Sequence, residues 1–184
     1  MLKNEKGQAV APKTVTMTKK DFEDQGNTRV YWLGGGGAMI NDHGTVIMID
    51  PVLEGFDMPL LIDMPIDVKD VPHVDAILVS HVDNDHYSRP TCRDLKAVCK
   101  EYHASYYVTF LMKEECGIEG IGHDIGDHIQ VKDIDVELTP ADHAWQNQVA
   151  KYNYRVGEDR EYCGFYVKTC LLYTSPSPRD SWAS

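Results

Sequence analysis

Apolar and polar residues keep no sustained rhythm up to about residue 27; from Thr28 onward, short apolar runs alternate with turn-forming clusters. Arg29-Val30-Tyr31-Trp32-Leu33 is rich in strand formers, and four glycines, Gly34 to Gly37, break it. Ala38-Met39-Ile40 and Thr45-Val46-Ile47-Met48-Ile49 follow around the turn Asn41-Asp42-His43-Gly44. This pattern predicts a β-meander. Asp75-Ala76-Ile77-Leu78-Val79-Ser80 is a nearly continuous apolar run, the mark of a buried strand. It leads directly into His81-Val82-Asp83-Asn84-Asp85-His86, so that polar hexapeptide is expected on a loop at the carboxyl end of a strand.

Further along, Leu95, Val98, Cys99 and Tyr102 are spaced by three and four, which predicts a helix over 90–102 with Ser88 as N-cap and Pro90 in its first turn. Ser105 to Thr109 then reads as a strand, and Phe110 to Cys116 as a short helix stopped by Gly117. Gly126-Asp127-His128 forms a turn before Gln130-Val131. Ile134 to Thr139 alternates as a half-buried strand and ends at Pro140-Ala141-Asp142-His143, bringing a second histidine to a strand end. Cys163 to Thr169 supplies one more strand. The expected organisation is a polar, loosely held arm over 1–27, a domain over 28–169 and a tail over 170–184.

The tail departs from all that precedes it. Cys170-Leu171-Leu172-Tyr173-Thr174-Ser175-Pro176-Ser177-Pro178-Arg179-Asp180 resembles, residue for residue, one translated frame of a transposase adapter used in short-read sequencing. Residues 170–184 are therefore expected to be foreign to the protein, with the natural chain continuing past Thr169.

Composition narrows the partners. With 42% hydrophobic and 26% charged residues among 184, the chain reads as one soluble globular domain. Its net charge of -11 disfavours nucleic acid. No apolar run suits a signal peptide or approaches the roughly 20 residues of a membrane span. Five cysteines without a CxxC pair suit reduced thiols and a cytoplasmic protein. The expected partner is a small-molecule substrate.

Two imidazoles and two carboxylates within His81-x-Asp83-x-Asp85-His86 would repel one another and carry a burial cost unless a cation neutralises them. Gly34 to Gly37 lacks the context of a phosphate cradle and reads as a tight turn passing under that site. His43, His73, His103, His123 and His128 lie in or beside polar connections and receive no role.

Ser80-His81-Val82-Asp83-Asn84-Asp85-His86 resembles the His-x-His-x-Asp-His motif of the metallo-β-lactamase-fold metal-dependent hydrolases, with Asp83 where the second histidine usually stands. Trp32-Leu33-Gly34, Ile49-Asp50-Pro51 and Pro140-Ala141-Asp142-His143 add to the likeness, which is similar to the branch containing ascorbate-6-phosphate lactonase. The resemblance implies an α/β fold, an αββα sandwich of which the chain holds the first half and the start of the second. It implies two divalent metal ions, zinc or manganese with iron also open, because a carboxylate at Asp83 hardens the ligand set. By the same resemblance His81, Asp83 and His143 are ligands of one metal, and Asp85 and His86 of the other. A metal-bound hydroxide attacks a lactone or a phosphorylated small molecule, oriented by Asp85 as the catalytic residue. The family's bridging aspartate and last histidine have no counterpart in this sequence. A phosphodiesterase or nuclease of the same fold, and a non-catalytic metal-binding or redox relative, are the alternatives.

Overall fold

A computed structural model describes residues 3–7, 10, 13–56, 60, 62–141, 162–169 and 173–174. The strands fall into two sheets. The first has six strands in chain order: β1 (Thr28–Gly34), β2 (Gly37–Asp42), β3 (Thr45–Ile49), β4 (Val74–Val79), β5 (Cys99–Ser105) and β6 (Ile121–His123). β1, β2 and β3 form the antiparallel meander, with Ala38 opposite Ile49 and Trp32 opposite Ala38. From β3 onward the pairing is parallel, with Ile49 beside Leu78 and Ala104 beside Gly122. Every residue of β3 and β4 is buried, as expected of strands covered on both faces.

The second sheet orders β7 (His128–Val131), β8 (Ile134–Pro140), β9 (Cys163–Lys168) and the two-residue β10 (Tyr173–Thr174), all antiparallel. One core lies between the sheets: Ile47, Ile49, Ala76 and Leu78 meet Ile129, Val136, Leu138 and Phe165. The other core lies on the far face of the first sheet, where α1 (Arg89–Asp94) and α2 (Tyr106–Cys116) pack with Leu95, Val108 and Met112 against Ile77, Val79 and Tyr102. Alternate residues of one strand thus serve two cores, a consequence of the two-residue period of β structure.

The helix expected over 90–102 is shorter and gives way to a strand. Ser88 does cap it, its side chain accepting from the Thr91 N–H, but α1 ends at Asp94, one 3-10 turn follows, and Cys99–Ser105 is β5. Ser105 caps α2 instead of opening a strand, so the helix begins at Tyr106 and not at Phe110, and Gly117, at φ 63°, ends it. β6 was not anticipated. Nor is the N-terminal arm loosely held along its length. Met17 and Phe22 are buried in the outer core, and the Asn41 amide donates to the Asp21 and Glu23 carbonyls at 2.8 Å each. Polar residues around Phe22 hide this anchor from a periodicity reading.

A carboxylate ties the two sheets together. Asp75 of β4 is buried, accepts from the Val46 N–H, and meets Lys100 Nζ of β5 at 2.7 Å and Lys132 Nζ of the β7–β8 turn at 3.0 Å.

Candidate metal centre

Parallel pairing of β3 with β4 brings their carboxyl ends side by side, and the polar loop of residues 81–86 begins there. The loop folds back on itself: the His86 and Tyr87 N–H groups donate to the Asp83 carbonyl at 2.9 and 2.7 Å. His81 and His86 are both buried, with ring centroids 4.0 Å apart.

Asp50, at the end of β3, organises this pair. Its backbone is left-handed, φ 44°, a conformation that asparagine and aspartate enter more readily than most residues. One carboxylate oxygen accepts the Ser80 N–H at 2.7 Å; the other accepts the Ser80 hydroxyl at 2.6 Å and lies 2.8 Å from His86 Nδ1. A hydroxyl carries one proton. Since Ser80 gives its own to Asp50, it accepts from His81 Nδ1, 2.8 Å away. In the neutral tautomers that satisfy these contacts, both rings are protonated at Nδ1 and direct the Nε2 lone pair toward the loop carboxylates. His81 Nε2 lies 3.5 Å from Asp83 Oδ2, and His86 Nε2 lies 3.7 Å from Asp85 Oδ2.

The tetraglycine turn passes beneath. A β-carbon on Gly36 would lie 2.7 Å from His86 Cε1, so only glycine leaves that ring its place, and Gly35 lies against the Asp85 carbonyl. The turn expected under the site is therefore present. Two further groups escaped the sequence reading. Tyr162, just before β9 of the second sheet, sets its ring against His81, tilted by 38° with centroids 5.4 Å apart. Arg89 donates from Nη1 to Asn84 Oδ1 at 3.2 Å and from Nε to Glu115, bracing the loop against α2.

His81, Asp83, Asp85 and His86 are thus brought together, as two imidazole–carboxylate pairs whose acceptor atoms face each other. A divalent cation stabilises such an arrangement, and a carboxylate hydrogen-bonded to the far nitrogen of a histidine is a recurrent support of metal ligands. Among the described residues, no three histidine, cysteine, aspartate or glutamate side chains form a group that holds a metal by itself. His143 lies outside the described residues. The donors present suit a divalent metal in chemical type, and each pair would need completion from elsewhere.

The histidines given no role include a second pair. His103, buried in β5, places Nδ1 3.0 Å from His123 Nε2 on β6, and its Nε2 lies 3.2 Å from Glu101. Burial pushes the pKa of both rings down; Glu101 and Asp127 oppose the shift and do not reverse it. Among the described residues, Cys92, Cys99, Cys116 and Cys163 form no disulfide.

Comparison with known proteins agrees with this architecture. The family described as "Beta-lactamase superfamily domain" matches residues 45–169. Among solved structures, CmlA, a diiron β-hydroxylase from Streptomyces venezuelae, is similar with a TM-score of 0.65 at 13% identity, over 82% of this chain and 29% of that one. Igni18, a metallo hydrolase from the archaeon Ignicoccus hospitalis, gives 0.54 at 16% identity, over 79% and 57%. An isothiocyanate hydrolase from Delia radicum gut bacteria gives 0.54 at 16%, over 77% and 58%. At such identities the likeness is one of fold, and this chain spans less than two thirds of each of these proteins. No curated protein matches the sequence. No helix among the described residues is long and apolar enough to cross a membrane.

Proposed function

Because the chain belongs to the beta-lactamase superfamily domain family and has its α/β sandwich fold, we propose that it serves a metal-dependent hydrolase acting on a lactone or a phosphorylated small molecule. The observation that carries this reading is the pair of anchored imidazoles, each fixed at Nδ1 by a 2.8 Å contact and each turning Nε2 to a carboxylate. His81 and Asp83 would hold one divalent ion and His86 and Asp85 a second, with His143 completing the first. Bound there, such ions lower the pKa of water and polarise a scissile carbonyl or phosphoryl oxygen.

The chain's own residues do the rest. Asp50 and Ser80 keep both rings in the tautomer that leaves Nε2 unprotonated. Asp85, whose side chain is 56% exposed, has access to incoming water and takes its proton. Tyr162 and the second sheet exclude bulk water from the His81 side. Carboxylate ligands favour manganese or iron beside zinc. Five cysteines without a CxxC pair suit a reducing, cytoplasmic compartment, and the acidic net charge suits a small-molecule partner better than nucleic acid.

The test is reconstitution of metal-free protein with zinc, manganese or iron, followed by assay on a panel of lactones and on bis(p-nitrophenyl) phosphate. Lactone hydrolysis at least as fast with manganese as with zinc is expected. Turnover of the phosphodiester alone would move the reading to a phosphodiesterase. Tight metal binding with no turnover of either would favour a metal-binding or redox relative.

A further inference from the structure

A cleft of about 360 Å³ opens between the extended segment 13–17, the edge strand β1 and the segment 62–65. Its walls are mostly apolar, formed by Val15, Met17, Tyr31, Trp32, Ile62 and Pro65. The volume lies within the range of small-molecule sites, roughly 300–1,000 Å³. We propose that this cleft receives the apolar acyl or aryl body of the substrate, while the hydrolysable group of the same molecule lies at the loop of His81 and His86. This rests on the hydrolase reading for its reaction, and on the cleft alone for its binding.

Adjacency is the first argument. Gly34 lines the cleft and opens the turn in which Gly35 lies against Asp85 and Gly36 beneath His86. Two residues of chain span at most about 7 Å, so the lining residue Gly34 lies within that reach of the glycine beneath His86. A molecule of modest length reaches both.

The second argument concerns order. Trp32 is 60% exposed, yet its indole N–H donates to the Gly35 carbonyl at 2.9 Å, which holds an exposed aromatic face in one position. A fixed face costs a ligand less ordering entropy than a mobile one. Val15, 83% exposed, leaves further apolar surface in water at the same cleft, and apolar surface gathered around a concavity marks a binding site. The opposite wall is fastened: Thr14 donates to the Asp63 carbonyl at 2.6 Å and the Met17 N–H to the Pro65 carbonyl at 2.8 Å.

The third argument decides the ligand class. The Asp21 carboxylate is already engaged by the Thr18 N–H and hydroxyl, and the Thr14 hydroxyl is engaged by Asp63. The Tyr31 hydroxyl is buried without a hydrogen-bond partner among the described residues and leaves one polar contact open; most of the remaining surface is apolar, so burial of apolar area is the main interaction a ligand gains.

The experiment separates binding from turnover. Isothermal titration of metal-free protein with p-nitrophenyl acetate, butyrate and hexanoate, in EDTA, reads affinity without hydrolysis. Each added pair of methylenes should tighten Kd by about tenfold, as expected for burying most of two CH₂ groups. Val15→Asp alters an exposed residue and Ile62→Ala shortens a wall; with native circular dichroism, each should flatten that series. A Kd independent of chain length, or a series unchanged in both variants, overturns the proposal. Chain-length-dependent binding, with no turnover of these esters, of lactones or of bis(p-nitrophenyl) phosphate after metal addition, would retain the cleft and reject the hydrolase; turnover with flat affinities would do the reverse.

Discussion

Asp50 Oδ2 lies 2.8 Å from His86 Nδ1, and through Ser80 the same carboxylate fixes His81. One residue at the end of β3 thereby sets the tautomer of both imidazoles on the following loop. Replacing it should weaken metal binding without touching a ligand. For Asp50→Ala we expect divalent-metal affinity to fall by about 10- to 100-fold, the usual cost of losing such a support. Calorimetric titration with manganese and zinc measures this, and an unchanged affinity would remove Asp50 from the account.

Gly36→Ala tests the close approach of the turn. Gly36 is not among the residues with positive φ, so alanine there brings no backbone strain, only a methyl group 2.7 Å from His86 Cε1. The ring must shift, and metal affinity should drop by about tenfold while circular dichroism stays native. Full affinity in the alanine variant would show that the ring position is unimportant.

Asp75 predicts a dependence of stability on acid. Burial raises its pKa, but the Lys100 ammonium, the Val46 N–H and Lys132 together outweigh that and hold it below the ordinary carboxylate value. A carboxylate with a depressed folded pKa contributes stability above its unfolded pKa of about 3.9, lost as pH falls through the lower folded value. Asp75→Asn should cost about 1–3 kcal/mol at pH 7, both lysines being half-exposed or more. In urea melts the gap to the parent should narrow below pH 4; a gap constant from pH 7 to pH 3 would contradict this.

The His103–His123 pair acts over a different range. Both pKa values are lowered, chiefly by burial. Unfolded histidines titrate near 6.5, so below about that pH the unfolded chain binds more protons and stability falls as pH drops. Double protonation also breaks the 3.0 Å contact, in which one nitrogen must accept. His128 is shifted up by Asp135 and opposes this trend, but it is exposed and its effect is small. His103→Asn with His123→Asn should flatten the fall in melting temperature between pH 7.5 and pH 5. An equal slope in the double variant would exclude the pair as its source.

β1 to β4 and the loop after them were legible because uninterrupted apolar runs are bounded by glycine and aspartate turns. The predicted helix over 90–102 is interrupted because Leu95 belongs to the helical turn, whereas Tyr102 is buried by a sheet; spacings of three and four cross the boundary by coincidence. Asp50 could be marked as a strand end, but its hold on His86 depends on the register of Ile49 beside Leu78. The His103–His123 contact likewise joins parallel strands twenty residues apart, a separation that leaves no local periodic signal.

The spatial order of the first sheet repeats the order of its strands along the chain, β1 through β6. During synthesis, each new strand therefore meets a neighbour that has already left the ribosome, and none waits for a partner far downstream. Each strand of the first sheet pairs with the one before it, which keeps contacts local in sequence and limits the time an edge is left open. The second sheet, also consecutive from β7 to β9, then closes over a surface already laid down.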